Sequence, residues 1–195
     1  MRAKSFNSSN QSPLDKFIRS LRQGRITQYI KPGSIVVDLG CGFDGTFLES
    51  ITQKINAGAG FDLEVKKSGL PKNISLKTAN LNQTVKQASS SADVVTSLAV
   101  LEHLDKPESL LKESYRILKP GGVLLLTSPS QISKPLLEFL AFKLHIISEQ
   151  EIRDHKLYFS PTLLREYLVK AGFKPKNIVI ENFQFGLNIF SKAIK

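Results

Sequence analysis

The chain holds one cysteine, Cys41, among 195 residues. That excludes an intrachain disulfide and any cysteine-based zinc cluster, and it fits a reducing, cytoplasmic setting. No run reaches the roughly 18 apolar residues that span a bilayer. The start, Met1-Arg2-Ala3-Lys4-Ser5, leads into Asn and Ser rather than an apolar core, so no secretory signal is expected. Like charges never run five in a row, and no repeat or low-complexity segment is present. Acidic residues are scarce, 17 against 27 Lys and Arg, for a formal net charge of +10. This balance favours an anionic partner: nucleic acid, a phosphorylated small molecule or a membrane surface. Residues 1–31 hold seven basic side chains and one acid, Asp15. What remains is ordinary globular composition, 41% hydrophobic, enough for a real core.

Apolar patterning alternates between two periods. Residues 1–11 read as a flexible tail. Ser12-Pro13 caps a helix whose inner face is Leu14, Phe17, Ile18 and Leu21. Short strands are predicted at Ile35–Val37, Ala57–Phe61, Ile74–Ala79, Asp93–Leu98 and Val123–Thr127, with helices between them. Leu110, Leu111, Ile117 and Leu118 mark one helix, and the apolar stretch 135–147 reads as another. Ser160-Pro161 caps a third, which ends at Gly172. Two late strands, 176–183 and 187–194, are close enough to pair antiparallel. The expectation is an α/β fold: a mostly parallel sheet with helices on both faces. Ligands of such sheets bind beyond the carboxyl ends of the strands.

The first βα loop carries Gly40, Gly42 and Gly45 as G-x-G-x-x-G, with Asp62 ending the second strand. This satisfies a dinucleotide fingerprint. However, Asp38 and Asp44 would repel a pyrophosphate. They suit a ligand with cationic groups, such as the sulfonium and ammonium of S-adenosylmethionine.

Val36-Val37-Asp38-Leu39-Gly40-Cys41-Gly42 resembles the first motif of class I S-adenosylmethionine-dependent methyltransferases, and Gly60-Phe61-Asp62 resembles their second. Residues 93–104, ending Leu101-Glu102-His103-Leu104, and residues 116–125, with Lys119-Pro120-Gly121-Gly122, are similar to the fourth- and fifth-strand motifs of the type-11 branch. The resemblance implies a doubly wound, Rossmann-like sheet of seven strands with an antiparallel C-terminal strand. It implies one methyltransferase domain over residues 12–195, with 135–160 as a lid or acceptor-side insertion. Gly40 and Gly42 would let the backbone approach the methionine part, and Asp38 would orient its ammonium. Asp62, with Leu63 beside it, would accept both ribose hydroxyls. Asn80 and Leu81 would flank the adenine, and Leu98 would offer backbone near the sulfonium. The product would be S-adenosylhomocysteine.

Three positions depart from the pattern. Asp44 stands where a third glycine is usual. Thr78-Ala79-Asn80-Leu81 lacks the acid common near the adenine. Ala99 replaces one of the carboxylates that help quinone-modifying relatives hold a metal. No metal is therefore expected, and quinone O-methylation loses support.

Methyl transfer from a sulfonium needs alignment above all. A base is required only if the acceptor must lose a proton. Glu102, His103 and His155 are the catalytic candidates, with Tyr158 nearby. The Glu102-His103 pair has a second reading, capping and packing the next helix. Residues 135–147 are too apolar for one helix face, which fits either a helix buried on two sides or an acceptor lid with peripheral membrane contact. The acceptor is expected to be a small molecule, anionic or partly apolar. Nucleic acid or protein as acceptor is the second reading. A non-catalytic cofactor-binding or NAD-type module is the third.

Overall fold

Adjacent residues of the central strands are apolar toward both faces, and this buries the sheet between two helix layers. In the computed structural model, which describes residues 13–195, Val37, Leu39 and Val95 pack into one hydrophobic cluster. Their neighbours Val36 and Val94 pack into the other. Continuous apolar strands of this kind are what a parallel sheet covered on both sides requires.

The strands are β1 (Ile35–Leu39), β2 (Ala57–Asp62), β3 (Ile74–Thr78), β4 (Ala92–Leu98), β5 (Leu118–Pro129), β6 (Ile178–Phe183) and β7 (Asn188–Ile194). They form one seven-stranded sheet in the order β3-β2-β1-β4-β5-β7-β6. β1 to β5 pair parallel. β7 inserts antiparallel between β5 and β6. The strand order reverses between β1 and β4, so the crevice at their carboxyl ends is where a ligand belongs in this architecture.

Helix α1 (Pro13–Thr27) and α2 (Thr46–Ser50) cover one face through Ile26, Phe47 and Leu48. α3 (Pro107–Ile117) and α6 (Pro161–Lys170) cover the other through Leu110, Leu111, Leu164 and Leu168. Each fully buried leucine stabilises the fold by roughly 1.5–3 kcal/mol. Ser160 caps α6 by accepting from the Leu163 N–H at 3.2 Å, a contribution of about 1 kcal/mol. The cap expected at Ser12 and the tail at 1–11 lie outside the described residues.

Two expectations need correction. Leu118 does not end a helix. It opens β5 and pairs with Ala92, because Pro120 disfavours helical backbone at Lys119 and ends α3 early. The stretch 135–147 is not one helix. α4 spans Lys134–Phe142 and α5 spans Glu149–Arg153. His145 between them has φ +51°, a left-handed conformation that no helix continues through. Nor is α4 buried on two sides. Leu136 and Phe139 are exposed, and Ala141 is its one fully buried residue.

Candidate active site

The loop after β1 is built by two glycines in left-handed conformation, Gly40 at φ +93° and Gly42 at φ +72°. A Cβ on Gly40 would lie 2.2 Å from Val100 Cγ2, so the loop lies directly against the start of the segment after β4. The Gly40 and Cys41 N–H groups donate to the Phe61 carbonyl at 2.8 and 3.2 Å, which ties the loop to the end of β2. Asp62 completes the turn. Its Oδ2 accepts from the Gly42 N–H at 2.8 Å and its Oδ1 from the Leu63 N–H at 2.7 Å. Each oxygen keeps a second lone pair. Gly40, Asp62, Leu63, Asn80, Leu81, Val100, His103 and Leu104 surround a depression of about 440 Å³.

Asp38 sits one residue from the end of β1, 2% exposed. Thr96, its register partner on β4, donates its hydroxyl to Asp38 Oδ1 at 2.7 Å. Burial pushes the Asp38 carboxyl up to about 7, against the opposing pull of the Thr96 hydrogen bond and with a small addition from Asp62. Burial also pushes the Cys41 thiol well up, with Asp38 and Asp62 adding to it. Cys41 is thus a packed thiol and not a nucleophile.

On the other side of Val100 lies a larger open cleft of about 1310 Å³. Ile18 and Leu21 of α1, Leu136, Leu137 and Leu140 of α4, and Ile152 of α5 make its walls apolar. Glu102, His103 and His155 bring polar atoms to it. Their ligating atoms all lie within 4.8 Å of one another. The His103 and His155 rings meet edge to face, with centroids 4.8 Å apart. Glu102 is buried and its Oε2 accepts from Ser128 Oγ at 3.1 Å. Its carbonyl accepts the Lys156 N–H at 2.7 Å, which pins the His155 loop to the turn after β4. His155 Nδ1 lies 3.0 Å from the Tyr158 hydroxyl. Burial pushes that hydroxyl up to about 12, helped by the charges of Glu138 and Glu102, so Tyr158 stays protonated.

A methyltransferase-domain family model matches residues 11–177. The chain belongs to the class I S-adenosylmethionine-dependent methyltransferases. This methyltransferase is 27% identical over 173 residues to the ubiquinone biosynthesis O-methyltransferase of Dechloromonas aromatica, covering 83% of this chain and 74% of that one. Its fold is similar to that of a SAM-dependent methyltransferase from Archaeoglobus fulgidus, with a TM-score of 0.68 at 18% identity, covering 92% and 94% of the two chains. It is also similar to phosphoethanolamine N-methyltransferase 2 of Haemonchus contortus, solved with phosphomonomethylethanolamine and S-adenosylhomocysteine. There the TM-score is 0.65 at 18% identity, covering 92% of this chain and 53% of that one.

Most residues singled out in the methyltransferase sequence fall around one crevice, and the structure adds detail to several of them. Asn80 lines the depression, yet its Oδ1 already accepts from the Asn82 N–H at 3.0 Å and from the Asn82 amide at 3.3 Å. That oxygen closes a local turn and is not poised for an adenine amino group. Leu98 ends β4 with its side chain packed toward the α1–α2 face, which leaves its backbone as the part expected near the sulfonium, while Ala99 lines the cleft and Val100 the depression. Ala99 achieves this with φ +56°, an unusual conformation for a residue bearing a Cβ. The Glu102-His103 pair forms a 3-10 turn, and Lys106, not either of them, precedes α3 as its N-cap. Sequence reasoning missed Thr96, whose only signal is its register opposite Asp38. It also missed the joining of His155 to Glu102 and His103. Two imidazoles and a carboxylate can share a proton, and they are also a donor set for a divalent transition metal.

Proposed function

We propose that this methyltransferase moves the methyl group of S-adenosylmethionine to a small-molecule acceptor with an apolar portion, seated in the cleft beneath α4. The observation that carries this reading is that His103 lines both the depression beside Asp62 and the apolar cleft. The two cavities therefore meet at a polar cluster, where a methyl group and its acceptor can approach. Asp62 would accept the ribose hydroxyls through its remaining lone pairs. Gly40 and Gly42 would pass close to the methionine part, and Leu81 would pack on the adenine. When bound, the sulfonium supplies an activated methyl and leaves as a neutral thioether. Apolar walls exclude water and hold the acceptor in line. His155, whose Nδ1 shares a hydrogen bond with the Tyr158 hydroxyl, would take the proton that an acceptor hydroxyl must shed. The curated relatives, named O-methyltransferases, favour a hydroxyl acceptor. Free nucleic acid is disfavoured by the apolar walls.

His155→Ala should lower kcat by about 10²–10⁴-fold, the range for a positioned base. Affinity for S-adenosylhomocysteine should stay within a few-fold, since His155 lies outside the cofactor depression. The acceptor for this assay is found by mass spectrometry of cell extract incubated with labelled methyl donor. Unimpaired turnover of that acceptor by the variant would remove His155 from the chemistry. Turnover should also survive dialysis against a chelator. A loss restored by a divalent cation would instead give the Glu102, His103 and His155 cluster to a metal.

Cofactor affinity should depend on pH through Asp38. Burial raises its carboxyl from the ordinary 3.8 to about 7, so the unliganded fold retains a proton across that window. The same burial costs the unliganded fold stability as pH rises through the window, up to about 7. An ammonium group beside Asp38 needs the carboxylate, so binding must release the proton. Affinity should thus fall by about tenfold per pH unit below pH 7 and level off above it. Asp38→Asn should bind weakly and flatten the profile. Calorimetry of S-adenosylhomocysteine across pH 5 to 8 tests this, and a flat wild-type profile would separate Asp38 from the ammonium.

A further inference from the structure

Hydrogen-bond donors and acceptors are unevenly divided along the wall of the cofactor depression. The polar side chains that line it are Asp62, Asn80, Asn82 and His103. In the proposed seating Asp62 meets the ribose, and His103 stands where the depression joins the acceptor cleft. The two amides remain for the purine, with Leu81 between them. Neither amide is free to turn over. The Asn82 backbone N–H meets the Asn80 side chain at 3.0 Å. A backbone N–H can only donate, so the atom it meets is Asn80 Oδ1. The Asn82 amide donates to the same oxygen at 3.3 Å. Asn82 Oδ1 is fixed in the same way, because the Lys106 backbone N–H donates to it at 3.0 Å.

Both amide oxygens are thus committed to backbone donors, and what Asn80 has left for a ligand is Nδ2, a donor. Among the described residues that line the depression, Asp62 is the one carboxylate, so no second acid is present to receive an amino group of the base. The difference is chemical. A carboxylate beside the 6-position of a purine needs the amino group of adenine and repels an oxygen there. A side-chain amide N–H donates to a ring nitrogen of adenine. It donates equally well to O6 or a ring nitrogen of a 6-oxopurine.

We propose that Asn80 is a specificity-determining residue that makes the cofactor site indifferent to the 6-substituent of the purine, so that it takes S-inosylhomocysteine about as well as S-adenosylhomocysteine. This rests on the proposed seat of the cofactor and adds the class of nucleoside that the seat accepts. A site built to receive an amino group rejects the analogue that lacks it, because its own acceptor is then left unpaired. A site that supplies the donor leaves no acceptor unpaired with either base. A product whose 6-amino group has been exchanged for oxygen would therefore still occupy the site and inhibit methyl transfer.

The test is calorimetry of the full chain with S-adenosylhomocysteine and with S-inosylhomocysteine at one pH. Wild type should bind the two within about fivefold of each other, a difference smaller than one hydrogen bond to a charged group makes. Asn80→Asp is the decisive variant. It keeps the oxygen that receives the Asn82 N–H and puts a second acceptor in place of Nδ2, so the turn and the shape are retained. It should favour the adenosyl compound by more than about tenfold, the lower end for a hydrogen bond to a charged group. Asn80→Ala should weaken both ligands together and leave their ratio near that of wild type. The inference is overturned if wild type binds the adenosyl compound and disfavours the inosyl one by more than about fivefold. It is also overturned if Asn80→Asp leaves the ratio unchanged, or if that variant no longer melts cooperatively, which would give Nδ2 a structural task instead. Failure of wild type to bind S-adenosylhomocysteine at all would overturn the seat of the cofactor and the inference with it, so the two failures are distinguishable.

Discussion

Asp62→Ala should weaken S-adenosylhomocysteine binding by about 1.5–3 kcal/mol, the range for hydrogen bonds to a charged group, or roughly ten- to 150-fold. The upper end is expected for a structural reason. The carboxylate not only faces the depression but also accepts the N–H groups of Gly42 and Leu63. Alanine removes the ligand contact and releases the glycine loop in one step, so the loop must be reordered whenever cofactor binds. Asp62→Asn sharpens the test. Asparagine has the same shape but presents an amide N–H₂ to one of those two backbone donors. It should therefore fail nearly as badly as alanine, although a ribose contact alone would tolerate it better. The sheet should survive both changes, since Asp62 ends β2 at its ligand-facing edge. Calorimetry giving either variant an affinity within threefold of wild type would move the ribose away from Asp62.

The second large effect is on stability. Gly40→Ala places a side chain on backbone at φ +93° and within 2.2 Å of Val100 Cγ2. Val100 is β-branched and buried in the core cluster, so its rotamer has little room to change. The variant should lose about 2–4 kcal/mol, as overpacking added to a forbidden φ does. For a chain of this size that is a fall in Tm of roughly 4–16 °C. Val100→Ala in the same chain should restore the steric part and leave the backbone part. The two changes should then couple in a double-mutant cycle by about 1 kcal/mol or more. A Gly40→Ala melting point equal to wild type would show that the loop does not need its left-handed turn. Additive effects would show that Val100 is not what crowds it.

These two residues also show how far local pattern reaches. Asp62 and Gly40 could be marked from their place after predicted strands, because a ligand-facing loop must follow a buried strand and must turn sharply. The strands themselves follow from short apolar runs bounded by turn residues, and the cap at Ser160 from its proline and the apolar face behind it. The end of α4 was not visible in the same way. Residues 135–147 stay apolar past Phe142, so periodicity continues while the backbone turns at His145. Hydrophobicity reports that a residue resists water, not which surface it meets, so an exposed helix face and a buried helix look alike in one dimension.

The sequence by itself determined the order of the strands and of the helices outside residues 134–153, the glycine loop, and the two acids at the ends of β1 and β2. Each of these depends on residues within a few positions of one another, where backbone sterics and periodic burial act directly. Only the tertiary structure decided that Thr96 bonds Asp38, that Ala99 rather than Leu98 turns into the cleft, and that His155 reaches Glu102 and His103. Those contacts join segments separated by dozens of residues. They exist because β4 lies beside β1 and because Lys156 pins its loop to the turn after β4. Such long-range closure depends on how the whole sheet assembles, and no local run of side chains encodes it.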